Sequence, residues 1–430
     1  MTTLSRILVL SILSLILYLT SCSTNDEEAT IPEPSTIKNA ADLNAYLQEL
    51  VQTSTMPGMA ISIVKDDNIV YQESFGYANI QNQVAYTNET INSIASISKT
   101  FVGAAVAKAI EQGYFTMETD INDILPIPVI NPKQPEGVIK IKHLVTHTSG
   151  LLDNPEVYLA HNYHILPGED TTTAGAGLLM NELGIEQRQS YSLEEFLANY
   201  FLEDGDLYSL DNFADTPPGS TWNYSNLATG LSGYIVETAT EQSFDDYVRQ
   251  NILQPLQMNA STYDISEINT DEMATRYINE DTPLPVYAND SYPEGSMYTT
   301  NEDMGKYLLD MAKGIKGEST TLFSKDTYEL LFDPQLAAGT VPQDFAENHG
   351  LFWYFQDGKV LHGGNSFGIS THLEIGQNGN YGFILITNMD ASFSGNTQNY
   401  SAIKEKVTKA IIEFLEATEY VPARMVLFLK

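Results

Sequence analysis

Three short motifs in this chain carry side chains that together can perform acyl transfer. Residues 96–99 read Ser-Ile-Ser-Lys, residues 224–226 read Tyr-Ser-Asn, and residues 362–364 read His-Gly-Gly. Transfer through a serine ester requires a nucleophilic hydroxyl, a base that takes its proton, and donors that hold the oxyanion. The order of the three motifs therefore predicts a serine nucleophile at Ser96 with the amine of Lys99 beside it.

The placement of Lys99 favours a chemical role over a structural one. Residues 97–110 are almost wholly apolar or small, which predicts a buried helix. At about 100° per residue, Lys99 shares one stripe of that helix with Ser96 and Val102. A buried ammonium must find partners or give up its proton, and a neutral amine one turn from a hydroxyl can act as its base. The alternative reading of Ser96, a simple N-cap, leaves the buried lysine unexplained.

Other copies of the first motif stand in less suitable places. Ser-x-x-Lys also occurs at 35–38, 62–65 and 401–404. The copy at 35–38 lies in a polar segment that we interpret below as a tether. The copy at 62–65 lies on a predicted strand, where residues three apart point to opposite faces. The copy at 401–404 begins an amphipathic helix. Only residues 96–99 combine the spacing with an apolar helix.

The second motif supplies a phenol and an amide. Tyr224 follows a Pro-Pro-Gly turn at 217–219, and Asn226 begins a predicted helix. Taken alone, the pair reads as a half-buried tyrosine beside a capping asparagine. A phenol is a poor base unless a cation stabilises its anion, which a buried Lys99 can do. The first two motifs therefore support each other.

The third motif places His362 before two glycines on a predicted strand edge. Gly363 and Gly364 allow substrate to approach the backbone closely, and the amide of Asn365 can hold an oxyanion together with that of Ser96. A competing pattern, Gly-x-Ser-x-Gly at 364–368, would make Ser366 the nucleophile of an α/β-hydrolase elbow. That elbow needs a helix after the serine, whereas residues 369–375 alternate like a strand, so Ser366 is disfavoured.

A metal site is not expected. His143 and His147 are four residues apart, but no glutamate lies between them as His-Glu-x-x-His requires, and two ligands do not make a zinc site. We expect no metal and no organic cofactor.

Charge excludes one class of partner. The 430 residues include 56 acidic and only 21 basic ones, for a formal net charge of -35. Such a surface repels phosphate backbones and anionic headgroups, so a nucleic-acid role is excluded. The 43% hydrophobic content suffices for a core without disulfides, which a single cysteine could not form within the chain.

The first residues predict export and a lipid anchor. Residues 7–19 form an apolar run too short to span a bilayer but typical of a secretory signal, and Cys22 follows in a context that resembles the bacterial lipobox. We expect a signal peptide at 1–21, an acylated Cys22, and a tether at 22–37. The protein would then face the periplasm or the cell surface, bound to the membrane through its lipid.

The remaining pattern predicts an α/β (α+β) domain at 38–418, followed by a tail at 419–430 of unknown role. Strand-like segments stand near both ends of this domain with helices between them, which indicates one antiparallel sheet completed by the N- and C-terminal segments. An all-helical lobe is expected to be inserted between these two groups of strands. Residues 151–215 are interpreted as an insertion that covers one face of the domain. Helices are expected at 40–51, 97–110, 139–146, 193–200, 227–238, 244–253, 303–312 and 402–415, and strands at 59–64, 69–75, 91–95, 351–355, 359–361, 369–375 and 381–387.

The chain resembles the penicillin-recognising serine hydrolases, especially the branch with class C β-lactamases, D-stereospecific peptidases and related esterases. The resemblance rests on residues 96–101, 143–151, 218–226 and 362–365 and extends over about residues 43–415. It implies a sheet flanked by helices, an all-helical lobe, and a site in the cleft between them.

The resemblance also implies roles for single residues. Ser96 matches the nucleophile, Lys99 its activating lysine, Tyr224 the proton-shuttling tyrosine, and Asn226 the residue that positions substrate and lysine. His362 stands where the third motif carries its cation, and the oxyanion amides would be those of Ser96 and Asn365, beside Gly363 and Gly364.

One departure bears on the substrate. Related β-lactamases have Lys-Thr-Gly where this chain has His362 and glycines, so a permanent charge and a hydroxyl that hold a carboxylate are missing. We therefore expect hydrolysis of an ester or amide, in a small molecule, a D-amino-acid peptide or a cell-wall peptide. A β-lactamase or D-alanyl-D-alanine carboxypeptidase is the alternative, and a non-catalytic penicillin-binding-like protein is the second alternative.

Overall fold

The computed structural model describes residues 33–34, 36–392 and 396–418. The predicted signal peptide, Cys22 and the tail at 419–430 lie outside these residues, so the lipid anchor stays a prediction. Within the described part, none of the helices is both long enough and apolar enough to cross a membrane.

The described residues form eleven α-helices and thirteen strands. The α-helices are α1 (Ala40–Thr53), α2 (Ser98–Glu111), α3 (Ile141–Val145), α4 (Tyr158–Asn162), α5 (Ala174–Glu182), α6 (Leu193–Phe201), α7 (Asn226–Thr240), α8 (Phe244–Val248), α9 (Asn301–Lys316), α10 (Lys325–Phe332) and α11 (Asn396–Ala417). The strands are β1 (Gly58–Lys65), β2 (Asn68–Asn79), β3 (Val84–Ala85), β4 (Asn92–Ser93), β5 (Tyr163–Ile165), β6 (Glu186–Gln187), β7 (Tyr287–Asn289), β8 (Tyr298–Thr299), β9 (Asn348–His349), β10 (Tyr354–Gln356), β11 (Lys359–Ser366), β12 (Ile369–Gly376) and β13 (Tyr381–Thr387). A π-helical turn at Arg249–Leu253 extends α8.

The main sheet joins both ends of the domain, as the sequence predicts. Its eight strands run in the order β3-β2-β1-β13-β12-β11-β10-β9, and each neighbouring pair is antiparallel. Met59 of β1 lies opposite Thr387 of β13, so the first long strand pairs directly with the last. The predicted class, a mixed α/β fold around a large antiparallel sheet, is confirmed.

Each face of the sheet buries a separate apolar core. Helices α1 and α11 cover one face, where Leu47 and Ile411 pack against Ile61 and Leu385. On the other face β11, β12 and β13 pack against the helical lobe, in which Phe101 of α2 is fully buried. Because α2 is buried on almost every side in its first turns, its polar residues Ser98, Lys99 and Thr100 also lie inside the protein.

Some predicted strands are wrong in their bounds: β11 continues from the predicted residues 359–361 to Ser366, and two other predicted strands are too long, for local reasons. Residues 351–355 were expected to form a strand, but only Tyr354 and Phe355 join β10, because Phe352 has a left-handed φ of 59° that interrupts extended structure. In the same way, only Asn92 and Ser93 of residues 91–95 form a strand, since Ala95 has φ 47°. Helix α10 has no counterpart among the predicted helices.

The predicted insertion at 151–215 folds against one side of the cleft described below. It contains α4, α5 and α6, and its strand β5 pairs with β7 outside the insertion. Leu179 of α5 packs in one apolar cluster with Tyr287 and Phe367. The insertion therefore helps to build one wall of the cleft.

Candidate active site

An open cleft of about 1850 Å³ lies between the sheet and the helical lobe. Five of the predicted site residues line it: Ser96, Tyr224, Asn226, Gly363 and Asn365. The structure therefore brings all three motifs to one place.

Ser96 lies in a tight turn that joins β4 to α2. The turn Ala95–Ile97 is a single 3₁₀ turn, and Ala95 takes a left-handed φ of 47°, which is uncommon for a residue other than glycine. The Ser96 side chain does not cap α2, whose first turn has no side-chain cap. The hydroxyl is thus available for another role.

Lys99 lies beneath Ser96 and is fully buried. Its Nζ donates to Ser96 Oγ at 3.2 Å and to the backbone oxygen of Glu294 at 2.7 Å. The same Nζ lies 5.2 Å from the centre of the Tyr224 ring. Lys99 therefore has polar partners inside the protein.

The carboxylate of Glu294 is a partner that sequence reasoning missed. Its Oε2 lies 3.5 Å from Lys99 Nζ, and its Oε1 accepts hydrogen bonds from Tyr158 at 2.6 Å and Asn162 at 2.9 Å. Burial raises the pKa of Glu294, and the nearby Lys99 ammonium opposes that rise. Glu294 is 195 positions from Lys99, so no spacing in the sequence could have paired them.

A second carboxylate, that of the half-buried Asp153, holds the Tyr-Ser-Asn motif in place. Its Oδ2 accepts from the backbone N–H of Asn226 at 2.8 Å and its Oδ1 from that of Leu227 at 3.0 Å. Ser225 caps α7 through a bond from the Ala228 N–H to its Oγ at 3.0 Å. Burial raises the pKa of Asp153, while the backbone N–H groups of Leu227 and Asn226 lower it. Sequence reasoning missed Asp153 as well.

Tyr224 belongs to a group of aromatic rings that we call the aromatic wall: Trp222, Tyr224, Phe345 and Tyr354. Ring centres lie 4.4 Å apart for Trp222 and Phe345 and 4.8 Å apart for Phe345 and Tyr354. His147 lies behind it, 4.6 Å from the Tyr224 ring. The Tyr224 side chain therefore lines the cleft among mainly aromatic neighbours.

His362, which stands where the third motif of related enzymes carries a cation, is buried. The side chain is 1% exposed, and its Nδ1 lies 2.6 Å from Gly363 O, which assigns the proton to Nδ1. Burial, helped by the charge of Lys99, holds the His362 pKa well below its usual value. Its ring stacks on Tyr354 at 4.5 Å and offers substrate no positive charge.

Gly364 brings β11 against the Ser96 turn. A Cβ at this position would lie 2.4 Å from Ile94 O and 3.1 Å from Ser96 N. β10 pairs only with residues 359–361 of β11, so within the described chain the outer edge of residues 362–366 has no partner strand. The backbone of Asn365 thus reaches the cleft beside the amide of Ser96.

The competing motifs have other surroundings. Ser366 Oγ bonds to the Tyr287 hydroxyl at 3.0 Å and is followed by β12 rather than by a helix, so the elbow geometry is absent there. His143 lies on α3 and His147 follows it with a left-handed φ of 56°. In the part of the chain that the structure describes, no group of three or more His, Cys, Asp or Glu side chains could hold a metal ion.

Comparison with known proteins gives a family. The family model described as Beta-lactamase matches residues 43–407. Protein flp of Staphylococcus aureus (strain MW2) is 22% identical over 359 residues, which cover 82% of this chain and 63% of that protein. Esterase EstB of Burkholderia gladioli is 28% identical over 268 residues, 60% of each chain. The chain thus matches about three fifths of the length of these curated relatives.

Solved structures show the same fold. The octameric penicillin-binding protein homologue from Pyrococcus abyssi superimposes with a TM-score of 0.65 at 23% identity, covering 86% of this chain and 77% of that one. A class C beta-lactamase superimposes with a TM-score of 0.61 at 16% identity, covering 85% and 94%. At these identities the likeness establishes the fold alone.

Proposed function

Because the chain belongs to the Beta-lactamase family, we propose that it is a serine hydrolase that cleaves esters or amides through an acyl-enzyme on Ser96. One observation carries the proposal: a fully buried lysine amine lies 3.2 Å from a serine hydroxyl that lines an open cleft. Burying a lysine is costly unless it is paired, and here one of its partners is the Ser96 hydroxyl itself.

The first half of the proposed reaction forms the ester. Lys99, in its neutral form, takes the proton of Ser96 Oγ while that oxygen bonds to the substrate carbonyl carbon. The backbone amides of Ser96 and Asn365 hold the oxyanion. The C–O or C–N bond then breaks, and Tyr224 gives its hydroxyl proton to the departing oxygen or nitrogen, which leaves a Tyr224 phenolate beside the Lys99 ammonium.

The second half reverses these proton transfers with water as the nucleophile. Water attacks the acyl carbon and gives a proton to the Tyr224 phenolate, and the Lys99 ammonium returns its proton to Ser96 Oγ as the ester C–O bond breaks and the acid is released. Asn226 lies at the start of α7 beside Tyr224 and is placed to orient the substrate. Glu294 stays buried below and sets the charge around Lys99.

The site favours esters and amides over β-lactams. A substrate carboxylate near the third motif would need a cation, and the neutral His362 supplies none. EstB, a relative at 28% identity, is an esterase, which agrees with this ranking. Hydrolysis of a β-lactam far faster than that of short acyl esters would reverse it.

A fluorophosphonate probe tests the nucleophile directly. We expect the protein to be labelled covalently and Ser96→Ala to abolish labelling and to lower ester kcat/KM by at least about 1,000-fold. Ser366→Ala is the matched control and should be labelled like the native chain. Labelling that survives in Ser96→Ala but not in Ser366→Ala would move the nucleophile to the glycine-rich segment, and a complete absence of labelling would favour a non-catalytic binder.

A further inference from the structure

Strand β11 divides the cleft into two sides around the serine. Gly364, the sixth of the eight residues of this strand, lies against Ser96 N. Two residues before it, His362 stacks on Tyr354 of the aromatic wall, and two residues after it, Ser366 bonds to Tyr287. With a rise of about 3.3 Å per residue, His362 and Ser366 each lie roughly 7 Å from Gly364, in opposite directions along the strand. The aromatic wall and Tyr287 therefore flank Ser96 on opposite sides.

The Tyr287 side contains a second aromatic cluster and a buried cation. Tyr163, Tyr287 and Phe367 have ring centres 5.3 to 6.0 Å apart and all line the cleft. The guanidinium of Arg276 lies 4.3 Å from the centre of the Tyr287 ring and 5.8 Å from that of Tyr298. Arg276 lines the same cleft although it is only 4% exposed.

The charge of Arg276 has no anion beside it in the described chain. Its Nη1 donates to the Tyr287 backbone oxygen at 3.0 Å, and no carboxylate of the described residues lies within ion-pair distance. The two other described arginines differ, since Arg188 pairs with Asp290 at 2.6 Å and Arg249 pairs with Glu267 at 2.7 Å. A guanidinium stays charged and presents a planar fork of donors that matches a carboxylate.

The two sides have different tasks if Ser96 is the nucleophile. Tyr224, which protonates the leaving group in the proposed reaction, stands on the aromatic wall, so the acyl group must extend toward Tyr287. Resting on the proposed hydrolase function, we propose that Arg276 binds a carboxylate carried by the acyl part of the substrate. The rings between Ser96 and Arg276 then contact an apolar or aromatic spacer, and the preferred substrates are acidic acyl esters or amides.

Two esters that differ only in the terminal charge test this subsite. Mono-p-nitrophenyl adipate ends in a carboxylate and p-nitrophenyl adipamate in a neutral amide of the same length. We expect the native chain to hydrolyse the adipate with a kcat/KM about 10-fold or more above that of the adipamate. Arg276→Gln should lower the adipate value by about 10- to 100-fold and the adipamate value by less than about twofold. Arg276→Lys should restore part of the adipate value.

The control is Lys325→Gln, which removes one positive charge from a side chain that is 67% exposed and outside the cleft. It should leave both kcat/KM values unchanged. If Arg276→Gln does not fold, inhibition of the native chain tests the subsite instead. Free adipate should then inhibit ester hydrolysis at least 10-fold more strongly than adipamide does. Equal kcat/KM values for the two esters, together with equal inhibition by adipate and adipamide, would overturn the Arg276 subsite but not the proposed hydrolase function. Failure to hydrolyse either ester, together with absence of probe labelling at Ser96, would overturn the proposed function itself.

Discussion

A methyl group at Gly364 tests whether β11 positions the reacting serine. In Gly364→Ala the new Cβ would lie 2.3 Å from Thr371 Oγ1 and 2.4 Å from Ile94 O. Packed atoms need at least 3.0 Å, so the Ile94 oxygen must recede by about 0.6 Å. The Thr371 hydroxyl can rotate away, but Ile94 belongs to the backbone two residues before Ser96. The substitution therefore pushes the serine turn away from the strand.

The expected cost follows from that displacement. Overpacking of a buried site typically costs about 1–3 kcal/mol, so the free energy of unfolding should fall by about that amount. A shift of this size between nucleophile and oxyanion donors should lower kcat/KM by about 10- to 100-fold. Steady-state hydrolysis of a p-nitrophenyl ester and urea denaturation measure the two quantities.

The neighbouring glycine is the control for stability. A Cβ at Gly363 would meet nothing closer than Thr371 O at 4.0 Å, so Gly363→Ala should change the unfolding free energy by less than about 0.5 kcal/mol. If Gly364→Ala keeps both its stability and its kcat/KM within twofold of the native values, β11 does not fix the geometry at Ser96 and the reasoning fails.

Two more substitutions test buried and half-buried charges. Glu294→Gln removes one partner of a fully buried ion pair, the carboxylate 3.5 Å from Lys99 Nζ, so urea denaturation should show a fall of about 3 kcal/mol or more in the free energy of unfolding; an unchanged unfolding free energy would contradict the ion pair. For Glu111, burial raises its pKa, but bonds from Lys108 and the Ser324 backbone bring that pKa down to about 2. Its contribution to stability is therefore present above about pH 4.5 and lost as the pH falls toward 2. Urea denaturation of Glu111→Gln should show a loss of about 1 kcal/mol at pH 7, reduced for solvent screening, and no difference from the native chain near pH 2; an equal loss at both pH values would contradict the ion-pair account.

Local periodicity was enough to predict that the side chains of Ser96 and Lys99 lie next to each other. Ser96 and Lys99 are three residues apart at the start of an apolar segment, and that spacing places them on one side whether the turn between them is 3₁₀ or α-helical. The strands near both ends of the domain were equally visible, because buried strands are short apolar runs bounded by turn residues. The predicted sheet followed from them, since two groups of strands separated by helices complete one sheet most simply.

Strand ends were less predictable than strand cores. Phe352 and Ala95 both take left-handed backbone conformations inside apolar segments that otherwise read as strand. Neither residue type signals such a conformation, because the surrounding packing imposes it against the local preference.

The sequence alone predicted the candidate reactive residues, which are a hydroxyl, an amine and a phenol in a fixed order, and a helix that buries its lysine. Tertiary structure decided the charges around them. Glu294, Asp153 and Arg276 stand far along the chain from Ser96, and only folding places them at the cleft. The same holds for His362, whose neutrality depends on the burial that its strand acquires in the sheet. Spacing fixes contacts within one helical turn, whereas the protonation of a side chain depends on everything that excludes water from it.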